Sequence, residues 1–408
     1  MPRIIFLNRF FYPDHSATSQ IVSDLAFDLA SSDKIVHVIT SRQLYEEPRA
    51  VLAAEEVVDG VHVHRLPTTR FGRSGLAGRA IDYSSCYGLM WHRARALVQR
   101  GDILVAKTDP PLTSVVAWRV AAQRQARLVN WLQDVYPETA AELGVAFMRG
   151  APLRALRRLR DRSLQGAVAN VVVGERMAER VRPLVDGQAS VHVIPNWCDD
   201  EELWPVAQQT HPLRREWGLT GKFVAGYSGN LGRAHELDTV LSAASLLREN
   251  RQIVFLFIGG GHHFEELARS VRTRGLDHMF RFVAYQPREA LKYSLNVPDV
   301  HLLSLRPALE GLIVPSKFYG IAAVGRPIVS MTASDGEIAR LVRAHACGLV
   351  VEPGDGAALA RALVELAADA PRVAEMGRRA RLMLEKSFTR AQALARWREL
   401  LLRVSEGG

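Results

Sequence analysis

The sequence predicts an α/β protein of two domains, each built on a parallel sheet, and three observations carry that expectation. A chain of 408 residues exceeds what a single core of ordinary domain size accommodates. Short apolar runs of strand length alternate with longer amphipathic or alanine-rich runs, the βαβ rhythm of a parallel sheet. That rhythm breaks at Pro195-Asn196-Trp197-Cys198-Asp199-Asp200, a turn-rich stretch that reads as a linker.

In order along the chain, strands are expected at residues 4–8, 36–40, 61–66, 103–106, 128–131, 169–173 and 191–194, with a helix at 19–30. A second series follows at 223–228, 253–259, 280–283, 300–303 and 327–330, with helices at 237–249 and 264–274. The first domain is therefore placed at 1–195 and the second at 196–387. The segment 388–408 carries a helix from Arg390 whose Leu and Trp spacing gives it one packing side, expected to return to the first domain. Ligands of open parallel sheets bind beyond the carboxyl ends of the strands, so the two domains are expected to face each other across a cleft that holds the chemistry.

Composition narrows the class. Hydrophobic residues make up 48% and charged residues 23%, an ordinary globular profile. No apolar run approaches the roughly 18–20 residues that cross a bilayer, and the N-terminus runs straight into a strand-like segment without signal-peptide organisation, so a cytoplasmic location is expected. Cys86, Cys198 and Cys347 are widely spaced and read as reduced packing residues. Lys plus Arg exceed Asp plus Glu by 52 to 43, a formal charge of +9, which attracts anions. Phosphorylated substrates and anionic lipid suit that charge; no nucleic-acid-binding module accompanies it.

Two segments carry the chemistry. In the stretch from Arg306 to Val329, a strand is followed by Glu310-Gly311 and then by Pro315, placed where a helix begins. Free backbone N–H groups there form an anion site fit for a diphosphate, with Glu310 beside it. The other, Gly226-Tyr227-Ser228-Gly229-Asn230-Leu231-Gly232-Arg233-Ala234-His235-Glu236, places Arg233 in a glycine-rich strand-to-helix loop, where a guanidinium can neutralise charge on a departing diphosphate. Taken alone, each also fits a plain connection with a solvated Glu or Arg.

Together with Tyr12-Pro13, Asp109-Pro110-Pro111, Asp134-Val135-Tyr136-Pro137-Glu138 and Ile194-Pro195-Asn196, these stretches make the whole chain resemble a family-four glycosyltransferase. The likeness is to the subgroup of bacterial exopolysaccharide, capsule and O-antigen assembly, including colanic-acid and fucosamine transferases. The resemblance implies a GT-B fold of two Rossmann-like domains, retention of anomeric configuration, a donor held mainly by the second domain and an acceptor held mainly by the first. It further implies that Glu310 contacts the donor sugar, that Gly311, Leu312 and Ile313 offer backbone amides to that sugar and to the diphosphate, and that Arg233 binds the diphosphate. The segment from Val283 through Tyr285 resembles the loop that cradles the base. Gly229, Asn230, His235, Ser316 and Lys317 complete the expected donor site.

Departures from the family pattern are specific. Asn230 and His235 stand where the common loop has Arg and Lys. Gly320 stands where a second Glu binds ribose, after a lengthening by Ser316-Lys317. The Gly-Gly of the first βα turn is replaced by residues 14–20, where Ser16 and Thr18 offer hydroxyl donors to phosphate or acceptor. Asp134 follows a strand and could orient or deprotonate the acceptor hydroxyl; the alternative is a turn-capping Asp.

No Asp-x-Asp metal clamp occurs, and the adjacent His262-His263 lacks zinc-ligand spacing. No metal or other cofactor is expected beyond the nucleotide-sugar co-substrate, a UDP-sugar preferred over a GDP-sugar. Residues 149–162 carry six arginines against one aspartate, with Leu153, Leu156 and Leu159 interleaved, which suits peripheral contact with an anionic membrane presenting a polyprenyl-diphosphate-linked glycan acceptor; the alternative is a solvated helix packing its leucines inward. The expected activity is metal-independent hexosyl or N-acetylhexosaminyl transfer for surface polysaccharide, lipopolysaccharide included. A nucleotide-sugar-binding pseudoenzyme and a nucleotide-sugar 2-epimerase are the competing accounts.

Overall fold

The computed structural model describes residues 2–45, 50, 52–72, 75–145, 148–185, 189–206 and 211–407. The chain separates into two compact units. One runs through Pro195 and takes in Gly311–Ile313 and the chain from Ala393 onward; the other comprises Asn196–Glu310 and Val314–Gln392.

The first unit holds an eight-stranded sheet of β1 (Ile4–Leu7), β2 (Val36–Ser41), β3 (Glu55–Val58), β4 (Val61–Leu66), β5 (Ile103–Lys107), β6 (Arg127–Leu132), β7 (Ala169–Val172) and β8 (Ser190–Val193). Their order is β3-β4-β2-β1-β5-β6-β7-β8, parallel throughout except for β3. β1, β5 and β7 are buried along their whole length, as strands covered on both faces must be, and they read as largely apolar runs, broken only by the buried Asn170 in β7 and closed by Lys107 in β5. β3, Glu-Glu-Val-Val, is mostly exposed and pairs antiparallel at the edge; its polar composition carries no core signal in the sequence.

The second unit holds six parallel strands, β9 (Phe223–Asn230), β10 (Ile253–Gly260), β11 (Phe280–Val283), β12 (Val300–Ser304), β13 (Ile328–Met331) and β14 (Gly348–Val351), in the order β11-β10-β9-β12-β13-β14. β14, Gly-Leu-Val-Val, is a four-residue edge strand that the expected strand series does not include. In each sheet the winding reverses beside the first strand, between β1 and β5 and between β9 and β12, and open α/β sheets bind ligands at such switch points.

The last helix, Arg390–Glu406, is anchored at its start by Asp200, whose Oδ1 accepts the Arg390 N–H at 2.8 Å. Farther along it, Trp397 is fully buried against Trp131 of β6, ring centroids 4.4 Å apart. Arg398 adds an ion pair to Asp28 at 2.7 Å. Among the described residues no helix is long and apolar enough to cross a membrane.

Candidate functional site

At the switch point of the second unit, glycines let two strand ends approach. Gly229 and Gly259 are opposite each other in the β9–β10 register, and Gly259, at φ 130°, would place a Cβ 2.4 Å from the Gly229 carbonyl oxygen. Leu231, fully buried, then locks the loop by donating its N–H to the Gly260 carbonyl at 2.7 Å. This anchoring leaves Asn230 and Arg233 on the surface, where the Arg233 guanidinium engages none of the described residues.

His235 turns inward. Its Nδ1 bonds the Ser304 carbonyl of β12 at 2.9 Å, and burial, with the nearby Lys317 charge second, pulls its pKa down to about 4. Glu236, next in sequence, is spent structurally: its carboxylate accepts from the Thr239 N–H at 2.9 Å and hydroxyl at 2.6 Å, capping the first turn of the helix Asp238–Leu246.

Lys317 comes to the same place from the other segment. Its Nζ donates to the Tyr227 hydroxyl and sits 3.8 Å above the centre of that ring. The hydroxyl in turn donates to the Asn230 carbonyl at 2.7 Å, so Lys317 underpins the glycine loop; a Cβ on Gly229 would lie 3.6 Å from its Nζ. Burial, without a carboxylate nearby, brings the Lys317 ammonium down to about 7.

The helix start that the sequence marks as an anion site is different from the expectation. The helix is Lys317–Ala323, seven residues beginning two positions after Pro315. Its first turn closes on itself, Phe318 N–H to the Pro315 carbonyl at 3.2 Å and Tyr319 N–H to the Ser316 carbonyl at 3.3 Å. Fewer amides remain for a phosphate than a free helix start would offer, and the positive charge here comes from side chains. Ser316 keeps its hydroxyl unengaged among the described residues. Gly320, which the resemblance sets in the place of a second Glu, faces Leu203 and Leu295.

Glu310 is 5% exposed. Its Oε2 accepts the Glu337 N–H at 3.3 Å, at the start of the helix Glu337–His345, where the dipole favours a carboxylate. Gly336 makes room for it: a Cβ there would fall 2.3 Å from Oε1. Tyr285, 53% exposed, follows β11 and edges Gly260, while Val283 packs into the core under β9 and β10.

Gly311, Leu312 and Ile313 belong with the first unit. Gly311, at φ 71°, lies so close to Arg176 and Arg180 that a Cβ would meet the Arg180 Nε at 2.7 Å. The Leu312 carbonyl accepts the Val135 N–H at 2.8 Å, and Ile313 forms a bridge with Asp134. Asp134 thus has its backbone fixed and its carboxyl beside a small cavity of about 20 Å³ shared with Thr108, Tyr136 and Arg160.

Burial, and then the neighbouring Asp109, push the Asp134 carboxyl up to about 7, while Lys107 opposes. Asp109 itself is raised to about 6, mainly by burial. Lys107 is 1% exposed at the end of β5, with its Nζ 3.8 Å over the Trp131 ring; desolvation pulls its pKa well below the ordinary lysine value. Asp109 and Tyr227 lie in stretches that the sequence singles out, Asp109-Pro110-Pro111 and the glycine-rich loop, but without a role of their own, and Lys107 carries no signal beyond a charged residue closing an apolar run.

Two expectations for the first unit change. Ser16 precedes the helix Ala17–Ser31, but its hydroxyl and N–H both donate to Asp14 Oδ1, the latter at 2.8 Å; it is committed to the turn, and Thr18 alone of the two keeps an unengaged hydroxyl among the described residues. In the basic helix Gly150–Gln165, Arg160 is buried on Glu138 at 2.8 and 3.0 Å and on the Tyr136 carbonyl, and Arg157 joins Glu138 at 3.0 Å. Leu153, Leu156 and Leu159 are half-buried, so the face left to solvent is formed by Arg154, Arg158 and Arg162.

The family described as glycosyl transferases group 1 matches residues 210–383. A Pseudomonas aeruginosa protein described as probable glycosyltransferase WbjE is 30% identical over 273 residues, 66% of this chain and 66% of its own length. The amylovoran biosynthesis glycosyltransferase AmsK of Erwinia amylovora is 28% identical over 172 residues, 41% of this chain and 42% of its own. The chain thus spans about two thirds of the first relative and less than half of the second. The structure of Anabaena HepE in complex with UDP-glucose superposes with a TM-score of 0.71 at 16% identity, covering 98% of this chain and 99% of that one. Likenesses of this kind give the fold, GT-B.

Proposed function

The chain belongs to the group 1 glycosyltransferases, and on that premise we propose that it moves a hexosyl or N-acetylhexosaminyl group from a nucleotide diphosphate to a glycan acceptor in bacterial surface polysaccharide synthesis. The observation that carries the reading is the second unit's switch point, where Lys317 and His235 pack on Tyr227 beneath the glycine loop and Arg233 stands exposed in that same loop, none of the three paired to a carboxylate among the described residues. Basic side chains left without a counter-ion at the carboxyl ends of parallel strands suit an anionic ligand. A nucleotide diphosphate fits, its base against the exposed ring of Tyr285 and its sugar toward Glu310.

The chemistry requires the protein to take up negative charge as the bond from anomeric carbon to diphosphate breaks. Arg233 supplies a permanent charge in reach of solvent, and Lys317 supplies one from beneath the loop. The acceptor hydroxyl loses its proton as it attacks. In the first unit Asp134 and Asp109 have carboxyls raised toward neutrality, the range in which a carboxylate serves as a base near pH 7. Retention of configuration, independence from metal ions, a uridine donor and a polyprenyl-diphosphate-linked acceptor complete the proposal. Arg154, Arg158 and Arg162 would meet anionic lipid at the inner face of the cytoplasmic membrane, each worth about 1 kcal/mol near such a surface.

A nucleotide-sugar panel read by thermal shift tests the donor. A donor at 100 times its dissociation constant adds about 2.7 kcal/mol of stability, and a UDP-sugar should raise Tm most. A panel without any shift counts against the reading. Incubating the stabilising donor alone then separates the alternatives: an epimerase converts the sugar without acceptor, a transferase leaves it intact or hydrolyses it slowly, and a pseudoenzyme remains inert when acceptor is added.

A further inference from the structure

Lys317 occupies a position that its chemistry makes costly. An ammonium on a partly buried stem is held against an aromatic face and a phenol oxygen, and the groups facing it are Tyr227 from β9, His235 from the loop after β9, and His301 from β12. None of these is an acid, and no carboxylate opposes the loss of solvation that lowers its pKa. The neighbouring imidazole has the same problem: His235 is pressed against the Ser304 carbonyl and has a backbone hydrogen bond with Asn230. Two bases of one network therefore sit under the glycine loop, both made harder to protonate by burial, and the imidazole further by the Lys317 charge.

A diphosphate arriving over Gly229 and Asn230 changes that balance. It brings negative charge toward an amine poised to accept a proton, and opposite charge favours the protonated form. We propose that donor binding is coupled to proton uptake at Lys317, whose amine becomes the ammonium that faces the diphosphate through the glycine loop and stands in for the basic residue replaced by His235. The step balances simply: neutral amine, one proton from solvent and the dianionic diphosphate give the ammonium–diphosphate pair, with no covalent bond to the donor made or broken. The Tyr227 ring holds the amine in either state, and the Tyr227 hydroxyl keeps its own proton on the Asn230 carbonyl. This inference rests on the nucleotide-sugar reading above.

Isothermal titration of the full chain with UDP-glucose, UDP-N-acetylglucosamine and GDP-mannose, in buffers of different ionisation enthalpy, measures the proton directly. Nucleotide sugars have no phosphate group titrating near neutrality, so any exchanged proton belongs to the protein. For the sugar that binds, uptake should approach about one proton at pH 8 and shrink at pH 6, with affinity falling by up to about tenfold per pH unit above neutrality. Lys317→Arg, permanently charged, should bind with uptake abolished; Lys317→Met should bind more weakly and without pH dependence, its fold checked by Tm. Binding by the wild type with no buffer-dependent heat, or uptake that survives in both variants, overturns the Lys317 inference and leaves the donor reading standing. Failure of all three nucleotide sugars to bind overturns the donor reading and this inference with it.

Discussion

Gly336→Ala is the smallest change that tests how Glu310 is held. Gly336 has φ −68°, so alanine adds no backbone strain and acts through its methyl group alone. That methyl would stand 2.3 Å from Glu310 Oε1, 2.5 Å from Cδ and 2.8 Å from Oε2, which no side chain tolerates. Glu310 is 5% exposed, so its carboxylate has to shift inside a buried site, and a shift away from the new methyl disturbs its bond to the Glu337 N–H. Overpacking costs roughly 1–3 kcal/mol and the loss of a hydrogen bond to a charged group about 1.5–3 kcal/mol. A combined cost of about 3 kcal/mol in a unit of this size corresponds to a fall in Tm of about 6–12 °C. Calorimetry measures it, and the double variant Glu310→Ala/Gly336→Ala supplies the control, because truncating Glu310 removes the clash. The double variant should be more stable than the sum of the single effects. An unchanged Tm for Gly336→Ala, or strict additivity, would refute the packing described.

Other consequences follow from single positions. His37 and His64 share a hydrogen bond at 3.1 Å while Arg93 donates to His64 at 2.7 Å, and burial lowers both, His37 to about 4. A folded pKa below the unfolded value means that stability is full above the unfolded histidine pKa of about 6.5 and is lost as pH falls toward 4, by up to about 3 kcal/mol; urea titrations across that range should show the slope, and His37→Asn should flatten it. Trp397→Ala opens the buried contact with Trp131 and should cost about 3–5 kcal/mol by chemical denaturation. Gly259→Ala places a methyl 2.4 Å from the Gly229 carbonyl at φ 130°, so donor affinity should fall with the loop's displacement, as titration with the best-binding nucleotide sugar would show.

Much of this architecture is legible in the chain because parallel sheets covered on both faces need unbroken apolar runs, and such runs stand out between helices. β4 and β11 begin and end where the apolar pattern does. Edges escape for the opposite reason: β3 contributes little to a core, and its Glu-Glu-Val-Val has no period to detect. At the site, Arg233 and Glu310 are visible because each lies in a segment with its own turn chemistry. The role of Gly336 is not, since it depends on a carboxylate from an earlier segment folding back onto a helix start. Nor is the pairing of Lys317 with Tyr227, which are 90 residues apart and meet only once β9 and β12 are neighbours. Ser16 shows the converse: its type suggests a donor for a ligand, but Asp14 two positions earlier consumes it. Local competition for a hydrogen bond of that kind is decided by backbone geometry.

In the proposed reaction the charge of Arg233 matters most while the diphosphate departs. Steady-state kinetics of Arg233→Ala with the stabilising nucleotide sugar, in EDTA, compare kcat with donor affinity directly. The account predicts that kcat falls by about 10²–10³ while donor binding weakens far less, and that the wild-type rate persists with the chelator. Equal losses in turnover and binding, or a wild-type rate abolished by EDTA and restored by a divalent cation, would contradict it.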